Sequence, residues 1–415
     1  MKLNYKILIL STLALALAGA CNPSGIKIGE PYKLGEVPSS ISEVQDKEDP
    51  FLNGLKVEMK DLPGHDDLLF DRAKGFGYAS GMDGWVWRLD LKAGKAEQWI
   101  KPPVNPAGMQ YSDKAKSKIL VCASRLGGEI YEEKNRVGLY EIDIDTKKID
   151  PIILDLPKLE KEEFEKVYSY SEMPAFSLEN LDPSNSRSFS LCNDLAVSDD
   201  GNRIYITEPF ERSDAAMGSG AVPEAIGLYP HGKLWMLDRT KNTISLVLTG
   251  FTFVDGILVE NSENGKEESV VFTETSKFRI IRAFLSGKNR GSSEVLFENL
   301  PGLADGLERD TEGRIWAGII KKRSGLINFV HKNPWLKKLI LSLPQKILPI
   351  SHNTGILVID PSGKKPLYYS MHDGSKVNDI SVSVPFEDRV YFPSFDKTSR
   401  GLYSLPISSI KIKEF

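Results

Sequence analysis

Residues 302–318 read GLADGLERDTEGRIWAG, and this stretch sets the pattern for most of the chain. An Asp-bearing turn at Asp305 leads into an apolar strand. A turn with Asp310 and Gly313 follows, and then a second strand, RIWAG. The same order recurs in HDDLLFDRAKGFGYASG from His65, PAGMQYSDKAKSKILVCAS from Pro106, NDLAVSDDGNRIYITE from Asn193 and DGILVENSENGKEESVVFTE from Asp255. NDISVSVPFEDRVYFPS from Asn378 makes the sixth member. β-Branched and aromatic residues alternate with polar ones over NRIYITE and KLWMLDR, the period of a half-buried strand. Turns such as SDDGN and DTEGR supply Asp and Gly where the chain reverses. A four-stranded blade needs roughly 40 residues, so uneven spacing between repeats marks added loops rather than a broken series. The expected fold is all-β, a six-bladed β-propeller.

Residues 1–20 carry Lys2 and Lys6, an apolar run from Ile7 to Ala18 and small residues leading to Cys21, the layout of a secretory signal. LALAGAC resembles a bacterial lipobox, which implies lipidation of Cys21, a lipid anchor to the membrane and a bacterial cell-envelope location. Asn22 after Cys21 is not the aspartate linked to inner-membrane retention, so the outer membrane is preferred. The expected divisions are a signal peptide over 1–20, a flexible Pro-, Gly- and Ser-containing tether over 21–50 and a propeller over 51–415. Without the leader, 51 basic face 57 acidic side chains, a net charge of −6, and no basic patch interleaved with aromatics appears. That balance gives no support to a phosphate-backbone binder. Cys122 and Cys192 either bridge or remain as buried thiols.

In a propeller, polar residues at the starts of the innermost strands meet around the axis. Asp66, Asn193, Asp255 and Asp305 hold that register, three carboxylates and an amide. Such hard oxygen donors suit Ca²⁺, and Mg²⁺ less readily. Without a cation, the carboxylates would repel one another and raise at least one pKa. PEAIGLYPHG from Pro223 and PWLKKLILSLP from Pro334 are candidate walls or lids. The second places Leu336, Ile340 and Leu343 at helical spacing. His65 and His231 are the histidines nearest these features, and His331, His352 and His372 stand in loop-like contexts. None forms a zinc motif, and no G-x-S-x-G elbow occurs.

SLCNDLAVSDDGNRIYITE, VVFTETSKFRIIRAFLSG from Val270 and LPGLADGLERDTEGRIWAG resemble the strictosidine synthase-like branch of a superfamily that includes the SMP-30/gluconolactonase and paraoxonase families. The resemblance covers about residues 60–400. It implies a six-bladed propeller with either calcium-dependent lactonase and arylesterase chemistry or metal-free condensation. Asp66 stands where the hydrolases usually have Glu, Asn193 at the amide ligand, Asp255 in place of the usual Asn, and Asp305 at the aspartate that serves as ligand and base. Ala107 in NPAG occupies the place of the paraoxonase histidine, so that base is absent. The resemblance therefore implies a calcium-dependent hydrolase of small-molecule lactones or aryl esters, with Asp305 or Asp255 activating water. The alternatives are a non-catalytic propeller that binds a ligand or partner and a metal-free strictosidine synthase-like enzyme. Glu308 follows Asp305 on its strand with its direction open.

Overall fold

The computed structural model describes residues 25–161, 163–261, 267–348 and 350–414. The leader and Cys21 lie outside them. Each repeat folds as an antiparallel blade whose first strand lies innermost. Blade 1 runs His65–Asp71, Phe76–Gly81, Val86–Asp90 and Lys95–Ile100, and blade 2 runs Asn105–Tyr111, Lys118–Ser124, Gly138–Asp143 and Ile149–Ile153. Blade 3 is built on Leu195–Val197, Arg203–Glu208, Gly232–Asp238 and Thr243–Phe251, with two short strands, Lys166–Val167 and Ala175–Ser177, added at its outer edge. Blades 4 and 5 start at Val254–Asn261 and Gly302–Arg309. Blade 6 closes the ring: Val384–Phe386, Arg389–Phe392 and Arg400–Pro406 are completed by Lys56–Pro63 from the opposite end of the chain, antiparallel to Arg400–Pro406.

The turns follow from their residues. Asp310 accepts from the backbone N–H groups of Glu312 at 3.0 Å and Arg314 at 2.9 Å, while Gly313 takes φ +82°. Its second oxygen accepts from the indole of buried Trp316 at 2.8 Å, which ties the turn to the core. Apolar faces then pack blade against blade. Leu69, Tyr78 and Val86 of blade 1 meet Met109, Ile119 and Val121 of blade 2. Trp235 and Trp316 are fully buried, and each contributes about 1.5–3 kcal/mol or more of transfer free energy.

The stretch expected as a tether lies along the body. Ile26 and Leu34 are buried, and Ile41 is enclosed on a short helix, α1 (Ser39–Glu43). A second helix, α2 (Pro50–Gly54), is capped by Asp49 and buries Phe51. Pro, Gly and Ser content does indicate an irregular backbone, but the apolar residues interspersed with them supply buried area that an extended linker would leave in water. Three helices cover one mouth of the channel: α3 (Val222–Gly227), α4 (Gly325–Lys332) and α5 (Pro334–Leu341). Gly29 N–H donates to Gly227 O at 3.0 Å and Tyr32 N–H to His331 O at 2.8 Å, so residues 29–32 strap these helices down.

Candidate active site on the propeller axis

Four inner strands break their ladders at the same place, between His65 and Leu68, Pro106 and Met109, Val254 and Ile257, and Ala304 and Leu307. A bulge re-aims side chains, and here it turns Asp66, Asp255 and Asp305 toward one cavity of about 960 Å³. Asn193, just before the blade 3 inner strand, joins them. Asn193 Nδ2 donates to Asp255 Oδ1 in close contact, and the Asp255 and Asp305 carboxyls share a hydrogen bond. Thr275 Oγ donates to Ala304 O at 2.8 Å and more weakly to Asp255 Oδ2 at 3.4 Å. Thr273 Oγ donates to Asp305 O at 2.9 Å. The four expected residues therefore share the cavity floor, and Ala107 is fully buried in the equivalent bulge of blade 2.

The sixth repeat, to which sequence assigned no axial residue, enters the ring through Ser381: Gly306 N–H donates to Ser381 O at 2.8 Å, and Ser381 Oγ donates to Asp66 O at 2.5 Å. Asp379 adopts φ +51° and forms an ion pair with Lys321. Asn378 donates to Asp396 at 2.7 Å.

A second row of acids went unread in the sequence. Asp67 accepts from Met109 N–H of the next blade at 2.7 Å, and Asp194 accepts from Ile257 N–H at 3.1 Å. The signal was present in the doublets Asp66-Asp67 and Asn193-Asp194, since three other repeats carry Gly108, Gly256 and Gly306 at the second position. A Cβ on Gly108 would lie 2.6 Å from Asp194 Oδ1, so glycine there makes room for the carboxylate. Cys192, beside Asn193, is bonded to Cys122 of blade 2. Ser124 Oγ also donates to Cys192 O at 2.7 Å and accepts from its N–H at 2.8 Å, so the segment carrying Asn193 is fixed to the blade 2 strand by a covalent bond and two hydrogen bonds.

Burial and mutual repulsion dominate the electrostatics of these acids. Burial pushes the Asp66, Asp194 and Asp305 carboxyls well above the usual range, and neighbouring aspartates push them further. Burial also raises Asp255. Asp67 is pushed up to about 7 by burial, and Glu308 up to about 8 by burial and then by Asp67. No Lys or Arg stands among the groups that act most strongly on these six. Among the described residues, no three His, Cys, Asp or Glu side chains are arranged as a ready metal-holding group. The donor chemistry nevertheless fits a hard cation: three carboxyl groups and an amide oxygen converge on one cavity, and no Lys or Arg is among the groups acting most strongly on the carboxyls.

The walls are apolar. Leu126, Met217, Phe253, Phe278 and Phe395 line the cavity with Ile226 of α3, Val330 of α4 and Leu336 and Ile340 of α5, and Leu343 follows just beyond α5. The expected stripe of Leu336, Ile340 and Leu343 thus faces inward. Glu308 lines the cavity as well. So does His331, whose ring burial and Lys337 push down to about 3. His65 is instead buried, with Nδ1 2.9 Å from Pro63 O, and His231 lies 3.1 Å from the Glu224 carboxylate.

The chain is 28% identical over 216 residues to an adipocyte plasma membrane-associated protein of Salmo salar, covering 50% of each. It is 27% identical over 223 residues to the Homo sapiens protein of the same name, covering 51% of each. Strictosidine synthase-like 10 of Arabidopsis thaliana is 27% identical over 156 residues, 38% of this chain and 40% of that one. The chain spans about half the length of the first two relatives. No family model matches. In solved structures, a protein described as a candidate gluconolactonase superposes with a TM-score of 0.52 at 12% identity, covering 92% of this chain and 98% of that one. A luciferin-regenerating enzyme superposes with a TM-score of 0.50 at 14% identity, covering 87% and 99%.

These relatives correct the expected location. The matching proteins come from fish, bird, mammals and a plant, which overturns the bacterial envelope and outer-membrane assignment. A basic start, an apolar run and small residues are shared by secretory leaders in general and do not by themselves specify a bacterial envelope. Among the described residues no helix is long and apolar enough to cross a membrane. The superposed folds show a six-bladed β-propeller, and in sequence the chain is similar to adipocyte plasma membrane-associated proteins and to strictosidine synthase-like 10.

Proposed function

We propose that the axial cavity hydrolyses lactones or aryl esters with calcium held at its floor. The observation that carries this reading is the convergence of Asp66, Asn193, Asp255 and Asp305 on one cavity, with no Lys or Arg among the groups acting most strongly on the acids. These four residues would hold the ion. Bound calcium supplies positive charge for polarising an ester carbonyl and steadying its oxygen. The chain's own residues supply the rest. Asp305 takes a proton from water, with the Asp255 carboxyl beside it. Thr273 and Thr275 hold the backbone on either side of the Asp305 bulge. The apolar walls exclude bulk water and favour substrates whose acyl or aryl part is apolar. A carboxylate tied to a cation is a weak base, which restricts the reaction to esters with good leaving groups.

Two observations favour other readings. Ala107 removes the histidine base, which suits a ligand-binding propeller without turnover. Glu308, a cavity carboxyl pushed up to about 8, suits a metal-free enzyme of the strictosidine synthase-like kind. The test is turnover of a panel of lactones and aryl esters by the full chain, with calcium and after chelation. Calcium-dependent turnover that Asp305→Asn lowers by about 100-fold or more is expected. Equal turnover after chelation, or in the variant, would sink the assignment.

A further inference from the structure

The lid segment carries apolar side chains that stay exposed to water at the rim of the cavity. Among the described residues ten large apolar side chains are strongly exposed, and five of them lie between residues 326 and 350. Leu326, Phe329, Trp335, Ile347 and Ile350 are 43–65% exposed. All of them except Trp335 also line the cavity, so they rim its mouth. Scattered exposed apolar residues are ordinary, whereas five around one opening form a patch.

The charge carried by the lid segment itself is one-sided, although the strap against it adds the exposed Glu30 and Glu36. From Gly313 to Ile359 the sequence holds no Asp or Glu and eight Lys or Arg, in a chain whose net charge is −4. Arg314 is paired with Asp310, Lys321 with Asp379, and Lys337 is buried with its ammonium 3.0 Å from Gly227 O. Lys322, Lys332 and Lys338 are exposed, and among the described residues none of them forms an ion pair. Exposed aromatic and aliphatic side chains flanked by uncommitted lysines match an anionic lipid interface: the apolar groups enter the headgroup boundary and the lysines meet its negative charge. A second copy of the chain would bring the same lysines against these and be repelled.

We propose that the lid docks the propeller, mouth first, on an anionic phospholipid surface. Docking uses the folded lid alone, requires no attached acyl chain, and holds whether or not the cavity floor hydrolyses esters. It also lets an apolar ligand pass between lipid and cavity without crossing bulk water.

The test is partitioning of the full chain onto phosphatidylcholine vesicles with and without phosphatidylserine, at low and high salt. Preferential binding to the phosphatidylserine vesicles is expected, weakened by salt. Both Phe329→Ser/Trp335→Ser and Lys322→Glu/Lys332→Glu/Lys338→Glu should lower it by about tenfold or more. Because the full chain also carries the apolar run 7–18, the lid is read locally through quenching by lipids brominated on their acyl chains. The quenched fluorescence should include a component missing in Trp335→Phe. Unchanged partitioning in both variants, or no quenching of that component, overturns the proposal. So does a dimer, seen by sedimentation velocity without lipid, that Phe329→Ser/Trp335→Ser converts to monomer while vesicle binding stays the same.

Discussion

Asp67 and Asp194 each serve as a staple between blades, accepting a backbone N–H from the neighbouring inner strand. That role keeps their carboxyls beside the proposed ion site. Asp67 is pushed up to about 7 and Glu308 to about 8, whereas both titrate near 4 in an unfolded chain. The folded state therefore keeps protons that the unfolded state releases. The stability contribution of these groups is fully present below about pH 4 and is lost as pH rises toward 8. Chelator-treated protein should melt at a lower temperature at pH 8 than at pH 5, and added calcium should flatten that slope. A melting temperature that holds steady or climbs across this window without calcium would contradict the account. At this scale the sequence was legible for Asp66, Asn193, Asp255 and Asp305, because equivalent turns repeat. It was not legible for Thr273, Thr275 and His331, which reach the cavity from a neighbouring strand or a lid helix and carry no repeat signal.

The bulge is the element that converts a repeat into a site. Each occurs where a Gly or a second acid follows the axial residue, and a Cβ on Gly256 would come within 2.3 Å of Asp305 O. The pattern DGL and DGI could be read directly as tight approach between inner strands. Ser381 could not, because the turn from Asn378 satisfies the same motif three residues earlier and only the Lys321–Asp379 ion pair shows where that turn goes. The disulfide acts at the same scale. Cys122 and Cys192 are separated by 70 residues and join blade 2 to the segment that holds Asn193. Replacing both with alanine should lower stability by about 2–4 kcal/mol in denaturant titrations, and should also weaken calcium binding. A variant with native calcium affinity would mean that Ser124 alone holds Asn193 in place. Sequence left this pair open because both cysteines sit in apolar contexts, where a buried thiol packs as well as a bridge does.

For the molecule as a whole, ring closure makes one cooperative unit out of six similar blades. The strand Lys56–Pro63 completes blade 6, so the chain's early and late segments must meet before any axial site exists. The repeats made this architecture legible, since alternation, turn chemistry and spacing all agreed. The packing of residues 25–54 was not, because buried positions such as Ile26, Leu34 and Ile41 follow no strand or helix period. Nor was the lid's outer surface: spacing assigned Leu336, Ile340 and Leu343 to one face of a helix but said nothing of Leu326 and Phe329 at the mouth. We propose that the closed ring gathers its axial acids around a cation. The most direct test is a calorimetric calcium titration of the full chain after chelation, repeated with Asp305→Asn. One ion bound per chain, with affinity reduced in the variant, is the predicted result, and no binding at millimolar calcium would contradict it.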